Sequence, residues 1–177
     1  MPASPLTITL GDEFQGLLRS LSAAWNVACA LRLEVFSCGV QCRFVIGSAH
    51  LETPLNTEKA WNMMGSGLAG ARDKLNDKRS INAYRFSLPD EPIIEPLMDA
   101  VGHAITRIEL GWTATQLEYV AASRRSTETN AELAKRLGVG ARSLYKVLHA
   151  ADADFHARQV QVLADAARAL DARYGLQ

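Results

Sequence analysis

The chain has 177 residues, with 19 basic and 19 acidic side chains and therefore no formal net charge. That length holds one domain or two small ones, and 48% hydrophobic with 21% charged residues excludes a disordered chain. No apolar run approaches the ~20 residues that span a bilayer, and the opening MPASPLTITLGDE lacks the basic segment and apolar stretch of a secretory signal.

In chain order, residues 5–18 alternate Leu6, Ile8 and Leu10, reach Gly11-Asp12, and continue with Phe14. This pattern predicts two short strands around a Gly-Asp turn. Residues 19–35 carry Leu21, Trp25, Ala28, Cys29 and Leu33 at helical spacing. In VQCRFVIGSAHLE, the alternation of Val40, Cys42, Phe44 and Ile46 predicts a strand. Residues 57–77 favour a helix, although Gly65, Gly67 and Gly70 each cost about 1 kcal/mol in a helix interior. Three such glycines point to a loop-to-helix junction or a close approach of another backbone. INAYRFSL at 81–88 reads as a strand ended by Pro89, and helix dominates from residue 91 onward. The cysteines, Cys29, Cys38 and Cys42, form no CxxC pair and read as core residues in a reducing, cytoplasmic setting. The four histidines show no zinc spacing.

The composition shift places an α/β domain at 1–89, a connecting helix at 90–111, and an all-α unit at 112–177. Within that unit, TNAELAKRLGVGARSLYKVLHA has the spacing of a helix-turn-helix. Ala134 supplies the small residue where two helices cross, and Gly138 the turn. Leu133 and Leu137 face the core from the first helix, and Val139, Leu144, Val147 and Leu148 from the second. Thr113 with Gln116, and Thr129 with Glu132, are capping boxes. The second helix would present Ala141, Arg142, Tyr145, Lys146 and His149 to a DNA major groove. Arginine pairs bidentately with guanine, and lysine and tyrosine reach phosphates or bases. Arg124, Arg125, Lys135 and Arg136 could hold the DNA backbone alongside. The same unit could serve only for packing or protein contact. Gly140 stands where Ser or Thr usually caps the recognition helix, at a cost of a few tenths of a kcal/mol. His156, Val160, Leu163, Ala167, Leu170 and Tyr174 recur at four-three spacing, a seam that could pair two chains or simply cover the preceding helices.

Gly11-Asp12-Glu13-Phe14 lies at the strand turn, where a carboxylate can hold Mg²⁺. The order strand, Gly-Asp turn, strand, helix, strand, helix, strand resembles the nucleotidyl cyclase core of GGDEF and adenylyl cyclases. TITLGDEFQGLL, RFVIGSAHLET, the GSGLAGARDKL stretch and the terminal helix-turn-helix together resemble the SatD family of bacterial proteins over essentially the whole chain. The resemblance implies an α+β protein: a ferredoxin-like, nucleotidyl-cyclase-like α/β domain joined to an all-α helix-turn-helix domain. It also implies a departure, because family members begin with a further strand and helix carrying a Gly-Asp-Ile-Val-Asp-Ser-Arg-like motif. This chain starts at the second strand of that pattern, so the first metal-binding carboxylate is missing. Arg72 matches the family's arginine, while Ser66 replaces an acid. Asp12 is left as the one candidate Mg²⁺ ligand, with Glu13 and Arg72 as further candidates for a nucleotide ligand. Strand neighbours point to opposite faces, so at most one of Asp12 and Glu13 enters a cleft. Alternatively, Asp12 serves only the turn and Glu13 is solvated. A missing strand would leave an unpaired edge within the sheet, which favours an oligomer.

These readings lead to a bacterial DNA-binding protein, a transcriptional regulator with a degenerate cyclase-like domain for sensing or dimerisation. Its expected partners are double-stranded DNA and a second copy of itself, with a nucleotide as possible ligand and no membrane. The alternatives are a Mg²⁺-dependent nucleotide-binding or cyclase-like enzyme, and a structural interaction module. Zero net charge first weighs against nucleic acid. Divided by segment, it does not: residues 1–110 hold 10 basic and 12 acidic side chains, residues 111–150 hold 6 and 3, and residues 151–177 hold 3 and 4. DNA affinity follows local charge within a Debye length of about 8 Å, so the surplus of three around the helix-turn-helix is what matters.

Overall fold

The computed structural model describes residues 2–176 and shows a mixed α+β chain, 55% helical. β1 (Ser4–Leu10) and β2 (Glu13–Leu17) form an antiparallel hairpin. Gly11 makes its turn at φ +56, a left-handed conformation that favours glycine. Leu6 and Ile8 are exposed on this hairpin, and the side chain of Leu10 lies outside the described residues. α1 (Leu21–Ser37) follows, capped at its N-terminus by Ser20. Its first turn is also capped from far along the chain: Leu21 N–H and Ser22 N–H donate to the Asp171 carboxylate at 2.7 and 3.0 Å.

β3 (Phe44–Gly47) pairs in parallel with β4 (Tyr84–Ser87), joined through α2 (Ser66–Asn76). Both strands start later than the alternation predicts. Val40 N–H donates back to Val35 O across Gly39 (φ +78), which keeps residues 38–43 in the loop that ends α1. α2 likewise begins only at Ser66. The Asn56 carboxamide oxygen instead accepts from Glu58 and Lys59 N–H in a local turn, and Asn62 is left-handed. The glycines mark a close approach: a Cβ at Gly65 or Gly67 would overlap the carbonyl oxygens of His50 or Ser48.

α3 (Ile94–Leu110), α4 (Ala114–Arg125), α5 (Asn130–Arg136), α6 (Ala141–Ala150) and α7 (Ala153–Tyr174) complete the chain. Two apolar cores form. In the first, Phe44, Ile46, Tyr84 and Phe86 of the strands pack against Trp25 and Ala28 of α1 and Met98 and Ile105 of α3. Val160, Leu163, Ala164, Ala167 and Leu170 of α7 belong to this same core. Of the two readings of the α7 seam, packing within the chain is the one seen: Val160, Leu163, Ala167 and Leu170 are buried in the first core and His156 is buried beside it. The second core joins Val120, Leu133, Ala134, Leu144 and Leu148 of α4–α6. Of the cysteines, Cys29 and Cys42 pack against the first core, whereas Cys38 is exposed at the end of α1. Burial pushes the Cys29 and Cys42 thiols up from their ordinary range. No helix among the described residues is long and apolar enough to cross a membrane.

A polar network is buried where the two cores meet, with no local signal in the sequence. Arg32 of α1 donates from Nε to Glu109 Oε2 at 3.0 Å, with both side chains almost fully buried. Tyr84 Oη donates to Glu109 Oε1 at 2.7 Å, and His156 Nε2 lies 3.2 Å from the same oxygen. Arg32 Nη1 also donates to Cys42 O at 2.8 Å. The Tyr84 phenol is held well above its ordinary range, first by burial and then by the charge of Glu109.

Candidate nucleic-acid interface

α5 and α6 are placed by features that the sequence states locally. Thr113 and Thr129 form reciprocal capping boxes with Gln116 and Glu132, which start α4 and α5. Gly138 takes φ +68 in the turn between α5 and α6, and Val139 N–H donates to Ala134 O at 2.9 Å. Ala134 is 1% exposed and Leu144 fully buried, so a small residue lies at the crossing of the two helices. Trp112 Nε1 donates to Ala151 O at 2.8 Å, closing the unit at its base.

With Leu144 and Leu148 turned inward, α6 directs the opposite face to solvent. Ala141, Arg142, Tyr145, Lys146 and His149 are all exposed there. The Tyr145 and His149 rings stand 6.1 Å apart, one helical turn from each other. Gly140 precedes α6 with no side-chain cap, as its identity predicts.

The flanking cations divide into two groups. Among the described residues, Arg142, Lys146, Lys135 and Arg124 take part in no ion pair. Arg136 pairs with Glu128 at 2.9 Å, an exposed contact that holds the Glu128 carboxyl below its usual range. Arg125 pairs with Glu34 of α1, and its Nε donates to Ala121 O at 3.2 Å, so this side chain ties α4 to the first core. Seven of the nine predicted contacts thus remain unpaired on the surface, and Arg125 and Arg136 are engaged with acids of the chain itself.

The Gly-Asp turn is separate from this surface. Asp12 is exposed at the hairpin tip. Glu13 and Arg72 line a groove between β2 and β3 that Asp12 does not enter, so the three predicted ligand residues are not brought together. Among the described residues, no group of three or more His, Cys, Asp or Glu side chains is placed to hold a metal ion. The groove lies between strands of two separate sheets, in keeping with the unpaired strand edge expected from the strand order. No protein-family model, no curated protein and no solved structure matches the chain.

Proposed function

We propose that the chain is a bacterial DNA-binding protein acting as a transcriptional regulator. In this reading α4–α6 form a helix-turn-helix domain whose α6 enters the major groove. The hairpin, β3–β4 and their helices form a degenerate, ferredoxin-like and cyclase-like module that senses a ligand or supports assembly. One observation carries the reading: Arg142, Tyr145, Lys146 and His149 share one exposed face of α6, and Arg142 and Lys146 pair with no acid among the described residues. A guanidinium and an ammonium left free on a helix that is anchored by its opposite face match the needs of base and phosphate contact. The two-module order of the SatD resemblance supports the same layout. The α7 seam is consumed by the first core, so two copies bound to neighbouring half-sites would meet through another surface.

The test is a mobility-shift titration at low salt, using duplexes selected by the protein from a random pool. An arginine–guanine pair is worth about 1–3 kcal/mol and a lysine–phosphate contact adds about one unit to the salt slope. Arg142→Ala/Lys146→Ala should therefore weaken binding at least tenfold and flatten its salt dependence. Equal binding by the double variant would overturn the assignment of α6.

A further inference from the structure

α7 carries two stripes. His156, Val160, Leu163, Ala167 and Leu170 are buried. On the opposite side of the helix Phe155, Arg158, Val162, Asp165, Ala169 and Ala172 recur at alternating three and four spacing, and all six are exposed. This is the a/d spacing of a coiled-coil seam, on the face that the first core does not use. α3 runs antiparallel beside α7: His156 Nε2 lies 3.2 Å from Glu109 at one end, and Tyr174 Oη donates to Glu91 Oε1 at 2.7 Å at the other. By the 3.6-residue period, Ile93 and Leu97 lie on the flank of α3 away from Gly102 and Thr106, which face β4. These two are 73% and 59% exposed, beside the C-terminal half of α7. Single exposed apolar residues are ordinary, but a contiguous strip of them marks an interaction surface.

The charges and sizes along the seam select the occupant. Arg158 takes part in no ion pair among the described residues. Asp165 Oδ1 accepts from Gln161 Nε2 at 3.1 Å and pairs with Arg168, while Oδ2 is left for a further donor. A parallel copy of α7 would set Arg158 against Arg158 and Asp165 against Asp165. An antiparallel copy sets the bulky Phe155 and Arg158 over Ala172 and Ala169 of the other helix, and brings each Arg158 within one turn of the opposite Asp165. An overlap from Phe155 to Ala172 is about 27 Å long. With the α3 flank, a strip two helices wide buries on the order of 1,000 Å² over both copies, the threshold of a specific interface.

We infer that a second copy of the chain docks antiparallel on the exposed face of α7, with Ile93 and Leu97 of α3 closing its flank, to form a symmetric dimer. α6 ends at Ala150 and α7 begins at Ala153. An antiparallel pair centred between Val162 and Asp165 sets the two starting points of α7 about 32 Å apart. Half-sites one DNA turn apart are separated by ~34–36 Å. The match to DNA rests on the reading of α6 proposed above; the pairing of α7 does not.

The test is sedimentation equilibrium of the full chain without DNA, from micromolar to submillimolar concentration, so its outcome is independent of whether α6 binds a duplex. A concentration-dependent dimer is expected. Arg158→Glu and Asp165→Arg each oppose like charges across the seam and should weaken pairing about tenfold or more. Mixed in equal amounts, the two variants should pair again, because each supplies the charge that the other lacks. Val162→Asp should weaken pairing without such rescue. All three positions are exposed, so the far-ultraviolet circular dichroism of each variant should match the parent. The unaltered chain tests the inference by itself should a variant fail to fold. A chain that stays monomeric throughout the range, a dimer that persists in both charge variants, or a mixture that does not recover pairing would overturn it.

Discussion

Replacing Glu109 by alanine isolates the buried network at the meeting of the two cores. Glu109 is fully buried and Arg32 is 2% exposed. The substitution strands a guanidinium with one remaining acceptor, Cys42 O, and removes the acceptor of the Tyr84 hydroxyl. Breaking a buried pair from one side costs about 3–5 kcal/mol, because the surviving charge keeps its desolvation penalty. An orphaned buried hydroxyl is worth about 1–3 kcal/mol, partly the same loss. The expected destabilisation is thus about 4 kcal/mol. With a urea dependence near 2 kcal/mol/M, the midpoint should fall by about 2 M. The assay is equilibrium urea unfolding followed by tryptophan fluorescence and circular dichroism. Arg32→Met introduced beside Glu109→Ala should recover much of the loss, since it removes the unpaired charge. A midpoint within about 0.5 M of the parent, or no recovery in the double variant, would refute the reasoning.

Other expectations concern the packing around that network. Gly102→Ala places a methyl group against the Tyr84 carbonyl oxygen, where backbone cannot yield cheaply, and should cost about 1–3 kcal/mol in the same urea assay. Asp171→Ala removes the long-range cap of α1 and should cost about 1–2 kcal/mol, whereas Asp171→Glu should restore part of it in thermal melts. For Glu95, burial opposes ionisation, but the Lys74 ammonium and the Leu88 N–H outweigh it and hold the carboxyl below its usual range. A carboxyl depressed on folding stabilises the native state above its unfolded pKa of about 4.3, and that stability disappears as pH falls through the lower folded value. Glu95→Gln should therefore flatten the acid limb of a stability–pH profile below about pH 5 and lower stability at neutral pH.

The parts of the fold that could be read from the chain are those whose causes are local. The capping boxes at Thr113 and Thr129, the turn glycine Gly138 and the left-handed Gly11 each act within a few residues, and all stand where their spacing puts them. The exposed candidates on α6 were legible for the same reason, since burying Leu144 and Leu148 determines the opposite face. The α7 periodicity carries no label for its partner, because packing on α1 and pairing with another chain require the same spacing. Whether a cation is free or paired is equally illegible: Arg125 is engaged by Glu34, 91 positions away. Arg32, Glu109 and His156 are separated by 77 and 47 positions and meet only after three helices have packed. The groove between β2 and β3 depends on the placing of two sheets, and the chain carries for it only the expectation of an unpaired strand edge.

The hydrogen bond from Trp112 to Ala151 O has a consequence for chain architecture. It brings the entrance of α4 and the exit of α6 side by side, immediately before α7 re-enters the first core. In topological terms, residues 113–152 are an insertion into a domain that is otherwise continuous from α3 to α7. Insertions of this kind are tolerated when their two ends are close together. A short Gly-Ser bridge in place of 113–152 should leave the first core able to close, with α7 still capping α1 through Asp171. The three-helix unit is then an insert whose two ends meet at one point of the host fold, held to it besides by Arg125 of α4 on Glu34 of α1.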